Sequence, residues 1–191
     1  MSYKELIISL PNERLRQRSR KVGLVTKEIS HVIEQMKNAT LDWEAHRPHE
    51  LGVALAAIQI GQPWRIVVIR NNFDDKTDQS FGVFINPEII KLEGSIEEDF
   101  EGCLSVASVY GKVPRYNKVR IRALDEDGQE VRIKAEGFLA RVLQHEIDHV
   151  NGVMFIDHIK DDHQAFFMLT KDGKLEPLDY EKISSSNIFR D

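Results

Sequence analysis

The segment from Glu136 to Val150 constrains the fold more than any other stretch of the chain. Phe138, Leu139, Val142, Leu143, Ile147 and Val150 recur at three- and four-residue spacing, the stripe of a helix packed on a core. The same helix carries His145, Glu146, Asp148 and His149. An exposed polar turn is the plain account of those four residues, but a core helix must give partners to the polar groups it carries. Histidines four apart lie one above the other on a helix face and can grip one metal ion. A glutamate beside the first of them then becomes a candidate general base.

The remaining elements follow from periodicity. Pro11 to Arg20 reads as a short helix, and Lys27 to His46 as a longer one with Thr26 as its N-cap and Ile29, Val32, Ile33, Met36 and Leu41 along one face. The run Gly52 to Gly61 is too rich in small residues for an ordinary core strand, and its bounding glycines imply close backbone approach. Arg65 to Arg70 and Phe81 to Asn86 read as strands joined by the polar loop Asn71 to Ser80. Val119 to Leu124 and Glu130 to Ala135 flank Asp127-Gly128, a hairpin signal. Gln164 to Thr170 reads as helical, and Lys171 to Asp191 as a loosely ordered tail. Strands in the middle with helices at the ends imply a single α+β domain rather than a doubly wound sheet. Its expected plan is mixed or antiparallel strands around a central helix that bears the His-Glu-x-x-His string.

Composition narrows the function classes. A net charge of −5 and the lack of a Lys/Arg run give no footprint for nucleic acid. The basic stretch Arg14 to Lys21 spaces Leu15 and Val22 as a solvated helix face would. The start lacks the apolar core of a signal peptide, and no apolar run approaches the roughly 20 residues needed to span a bilayer, so a soluble, cytoplasmic protein is expected. A single cysteine, Cys103, excludes an intramolecular disulfide. It sits in Glu101-Gly102-Cys103-Leu104-Ser105, after the acidic Glu97-Glu98-Asp99, at a loop or strand start.

Two histidines do not complete a metal site. The extension His-x-x-Gly-x-x-His runs through Gly152 but meets Phe155 where a third histidine should stand. Glu176 or Glu181 downstream would lie in the stretch of poorest periodicity, where a ligand lacks rigid support. Upstream, Cys103 as a thiolate would give two imidazoles and one sulfur with a fourth position open, as a catalytic metal needs.

Three stretches in order, Gly52-Val53-Ala54-Leu55-Ala56-Ala57-Ile58-Gln59, Glu101-Gly102-Cys103-Leu104-Ser105 and Gln144-His145-Glu146-Ile147-Asp148-His149, resemble the motifs of peptide deformylases. Pro11 to Arg16 and Glu136 to Arg141 are similar to that family too, and the likeness spans roughly residues 6 to 160. The resemblance implies residues 1–170 as a catalytic domain, followed by the tail 171–191. It also implies the α+β deformylase fold and a hydrolase that removes the N-formyl group from the terminal methionine of nascent polypeptides, releasing formate. The implied cofactor is one divalent ion, Fe2+ by analogy with Zn2+ or Ni2+ accommodated, held by Cys103, His145 and His149. Glu146 is the implied base, with Gln59 and the backbone N–H of Leu104 as donors to the formyl oxygen. Asp148 and Glu101 are read as supporting groups. The implied partners are N-formyl-methionyl nascent peptides and, more remotely, the ribosome, although no long basic C-terminal helix is apparent in Lys171 to Asp191.

Departures from the family pattern fall on the substrate side. Ala54 stands where a second glycine is common, Tyr110 replaces an arginine, and Arg141 could face the side-chain pocket or snorkel to solvent. Two other functions stay in view: a deformylase for another N-formyl compound, and a non-catalytic, metal-stabilised peptide-binding protein. Glu146 weighs against the second, because a purely structural site has no use for a base.

Overall fold

The computed structural model of the chain describes residues 2–47, 49–184 and 188–189. Helix α1 (Lys27–Glu44) begins where Thr26 accepts a hydrogen bond from the Ile29 N–H, and it buries Ile29, Val32, Ile33 and Met36. Strands β1 (Ala54–Ala56), β2 (Ile66–Arg70), β3 (Phe81–Cys103), β4 (Val106–Leu124) and β5 (Glu130–Glu136) follow. Helix α2 (Gly137–Asn151) comes next, then β6 (Phe166–Leu169), β7 (Leu175–Pro177) and the short α3 (Tyr180–Ser184).

The seven strands form one sheet in the order β1-β2-β3-β4-β6-β7, with β5 on β4, and every strand pair is antiparallel. The sole parallel pairing among the described residues is the bridge between Arg20 and Trp64. The result is an α+β fold on an antiparallel sheet.

Helix α2 buries Ala140, Val142, Leu143, Ile147 and Val150 against Val67 and Ile69 of β2 and Val119 and Ile121 of β4. Each fully buried aliphatic side chain contributes about 1.5–3 kcal/mol, so this face fixes the helix against the sheet. Gly152, in the left-handed region, caps it. A Cβ at that position would collide with the backbone of Arg16, which brings the N-terminal segment against the end of α2.

Several expectations are corrected. Gln164 to Thr170 is not a helix: Phe166–Leu169 pairs with Val109–Gly111 of β4, and Phe166 is buried in the core, so tertiary pairing overrides local propensity. Pro11 to Arg20 reduces to one 3-10 turn, Glu13–Arg16, capped by Asn12. The chain leaves it extended at Gln17 and then pairs Arg20 with Trp64. Strands β3 and β4 run far beyond the stretches expected: on β3 the apolar Ile90, Leu92 and Ile96 are exposed and their alternation breaks at Gly94 and at Glu97-Glu98-Asp99, while β4 turns the charged Arg115 inward beside Val113. In the C-terminal stretch, 171–184 holds β7 and α3, with Ile183 buried. Residues 185–187 and 190–191 lie outside the described residues.

The glycine-bounded run is explained in part. A Cβ on Gly52 would strike the Thr40 carbonyl, so helix α1 is what approaches its backbone. Ala54 takes its place in β1 opposite Ile69 and packs into the core under α2.

Candidate metal centre and catalytic cleft

Three elements meet at the site. The end of β3 supplies Cys103, α2 supplies His145 and His149 one turn apart, and the 3-10 turn after β1 supplies Gln59. His149 Nε2 lies 3.3 Å from Cys103 Sγ and 3.1 Å from His145 Nε2. The ligand atoms of the three residues all lie within 4.8 Å of one another. Three donors around one tetrahedral ion stand about 3.3–3.6 Å apart at ordinary metal–ligand lengths, so the cluster is close to that spacing. Glu101 Oε2 lies 2.9 Å from His145 Nδ1. With a proton on Nδ1, that contact leaves the lone pair of Nε2 facing the cluster, the support that metal-binding imidazoles need. The donors therefore fit a borderline or soft divalent cation.

Burial lowers both imidazoles, but Cys103 and Glu101 push His145 well above the ordinary range, while its neighbour His145 drives His149 further down. Glu146 is fully enclosed, and burial pushes its carboxyl up to about 7. Its Oε2 has no hydrogen-bond partner among the described residues, and the side chain faces the cleft. Gln59 is buried, its Oε1 accepting from the Ala56 N–H at 2.8 Å, which directs Nε2 toward Ser105 Oγ at 3.1 Å and Cys103 Sγ at 3.5 Å. Leu104 is the first residue of the tight turn between β3 and β4 and lines the same cleft. The fold thus gathers Cys103, His145, His149, Glu146, Gln59 and Leu104 at one place.

Behind the cluster lies a buried polar network. Glu101 accepts from Arg115 Nε at 2.9 Å and from Arg141 NH1 at 2.8 Å, besides its contact with His145. Burial opposes its ionisation, yet His145 and Arg115 hold the carboxyl well below the usual carboxylate range. Asp148 points away from the cluster and bonds Arg115 at 2.6 Å and His158 at 2.7 Å. Arg141 does not snorkel: it is buried and donates also to the carbonyls of Glu97 and Val113.

Sequence reasoning missed Arg115, His158 and Ser105. Arg115 alternates with Gly111 and Val113 on the inward face of β4, so strand parity was its one available signal. His158 and Ser105 are recognisable only from the partners they meet.

A cleft of about 640 Å³ opens over the cluster, with Val53, Ala54 and Val142 on its apolar side. A family model described as polypeptide deformylase matches residues 4–165. This chain belongs to the polypeptide deformylase family. It is similar to the peptide deformylase of Thermomicrobium roseum, 42% identical over 158 residues that cover 81% of this chain and 85% of the relative. The peptide deformylase of Agrobacterium fabrum is also 42% identical, over 161 residues that cover 83% of this chain and 88% of the relative. Among solved structures, a peptide deformylase from Legionella pneumophila aligns with a TM-score of 0.70 at 40% identity, covering 80% of this chain and 83% of that one. One from Synechococcus elongatus in complex with actinonin aligns at 0.70 and 36% identity, covering 80% and 76%.

Proposed function

We propose that Cys103, His145 and His149 hold one divalent ion, Fe2+ with Zn2+ or Ni2+ as substitutes, and that Glu146, Gln59 and Leu104 carry the chemistry around it. As a member of the deformylase family, the chain is a hydrolase that removes the N-formyl group from the terminal methionine of newly made polypeptides and releases formate. The observation that carries this assignment is the unpartnered carboxylate of Glu146 facing a cleft beside a Cys-His-His donor cluster. In this reading α2 is the central helix of a catalytic domain spanning residues 1–170, with 171–191 as an appended tail, and the cytoplasm and the emerging chain at the ribosome are its setting.

The bound ion would supply Lewis acidity and make water ionise near neutral pH. Glu146, whose carboxyl burial raises to about 7, is poised to take a proton from an attacking water and return one to the leaving amine. Gln59 Nε2 and the Leu104 N–H donate to the formyl oxygen as negative charge builds on it. Ala56 fixes the Gln59 amide from behind, so this donor does not reorganise during reaction. Glu101 keeps His145 oriented, and the apolar side of the cleft receives the methionine side chain.

The decisive assay is formate release from formyl-Met-Ala-Ser by the iron-loaded protein. Turnover is expected; a metal-loaded wild type that released no formate would instead support the non-catalytic peptide-binding alternative, and turnover confined to another N-formyl compound would support the divergent one. Two variants probe the roles. Cys103→Ala is expected to lose its metal on dialysis under conditions where wild type keeps one ion per chain, measured by elemental analysis; full retention would remove Cys103 from the ligand set. Gln59→Leu is expected to lower kcat roughly a hundredfold with metal content kept, the loss typical of one oxyanion donor. A kcat within threefold of wild type would mean that Gln59 serves only to pack the turn.

A further inference from the structure

The polar end of the cleft holds an arrangement that the chemistry above does not use. Tyr110 lies flat on Gly102, where any Cβ would clash with its ring, and its hydroxyl donates to Glu50 Oε1 at 2.9 Å. Glu50 belongs to the segment between α1 and β1, so the bond ties that segment to β4. The other oxygen of Glu50 accepts from Arg47 NH1 at 2.9 Å, and the Arg47 guanidinium sits 4.4 Å over the ring of Trp43. All four side chains line the cleft. The base of the segment is fixed as well: Glu44 binds buried Arg70 at 2.8 Å and the Gly52 N–H at 2.9 Å.

One edge of Arg47 is thus taken by Glu50 and one face by Trp43. Its Nε and NH2 groups meet no acceptor among the described residues, and its side chain is 33% exposed. A fork held on one edge presents its free N–H groups in a fixed direction. The positive charge is matched by Glu50, and Asp74 also lines the cleft, so the site has no surplus cation for an acidic side chain. A neutral acceptor suits it.

Resting on the deformylase reading, we propose that Arg47 is a specificity-determining residue that donates a hydrogen bond to a main-chain carbonyl of the peptide beyond its formylated residue, with Glu50 and Tyr110 holding it in place. A main-chain acceptor also makes the contact independent of the nascent sequence.

The test compares formyl-Met with formyl-Met-Ala-Ser. Arg47→Met is expected to raise KM for the tripeptide five- to tenfold while kcat stays within twofold and KM for formyl-Met moves by less than twofold. Tyr110→Phe keeps the ring on Gly102 but frees Glu50, and a two- to threefold rise in tripeptide KM is expected. A second arm needs no turnover: titration of the products Met and Met-Ala-Ser, followed by tryptophan fluorescence, should show the tripeptide's affinity advantage over Met shrinking five- to tenfold in Arg47→Met. An unchanged advantage, or equal loss for Met and Met-Ala-Ser, overturns the assignment. If wild type releases no formate from either substrate, the deformylase reading fails, and the titration still decides what Arg47 does.

Discussion

Replacing Glu146 by glutamine is expected to lower kcat for formyl-Met-Ala-Ser by about 10²–10⁴-fold with kcat/KM falling in step, the range that a positioned general base supplies. The exchange keeps the shape of the side chain and removes its basicity. Metal content should match wild type, because Glu146 is not among the three grouped donors. The same variant tests the cost of burying that carboxyl. With its folded value near 7 and the ordinary value at 4.5, the native metal-free protein binds more protons than the unfolded chain between those limits. Stability is therefore lost as pH rises from about 4.5 to about 7, and the loss stays constant above that. The metal-free Glu146→Gln protein should consequently melt above metal-free wild type at pH 8, and the gap should close by pH 5. Thermal melts at both pH values check this. Equal melting at pH 8 would show that the carboxyl is solvated rather than held ready in a dry site.

The difference between what was legible and what was not follows from where the free energy of each element comes from. Helices α1 and α2 each bury a continuous apolar stripe, so their 3.6-residue period is written in Ile29, Val32, Ile33 and Met36 and in Val142, Leu143, Ile147 and Val150. The pairing of His145 with His149 was legible because helix spacing alone sets one over the other. The long β3–β4 ribbon was not: the alternating Ile90, Leu92 and Ile96 of β3 lie exposed and are interrupted by Gly94 and the run Glu97-Glu98-Asp99, and the pairing rests on backbone hydrogen bonds and cross-strand ion pairs such as Arg120–Glu93 and Arg122–Glu88. Strand β6 was misread because Phe166 and Phe167 become a strand only when Gly111 and Tyr110 offer an edge. The bridge from Glu50 to Tyr110 joins residues sixty positions apart, and no local pattern announces it.

Breaking the network behind the cluster should cost about 3–5 kcal/mol of stability, the usual result of removing one partner from a buried ion pair. Glu101→Gln is the variant that does so. Its carboxylate binds Arg115, Arg141 and His145 at once, and the two arginine side chains are 5% and 8% exposed. Asp148 remains to offset Arg115, but it reaches neither Arg141 nor His145, so one guanidinium and one imidazole lose their counter-charge. Arg141 would keep its carbonyl acceptors at Glu97 and Val113, which limits the damage to the charge itself. Metal affinity should fall 10–100-fold as well, since a freed His145 ring no longer has its tautomer fixed. Urea unfolding of the metal-free protein isolates the first effect and competition with a chelator isolates the second. In the double variant Glu101→Gln/Arg141→Met the unpaired cation is gone, and its stability loss should be smaller than the sum of the two single losses by about 0.5–3 kcal/mol. Strict additivity, or a Glu101→Gln loss below 1 kcal/mol, would mean that water or Asp148 neutralises these arginines and that Glu101 matters to His145 alone.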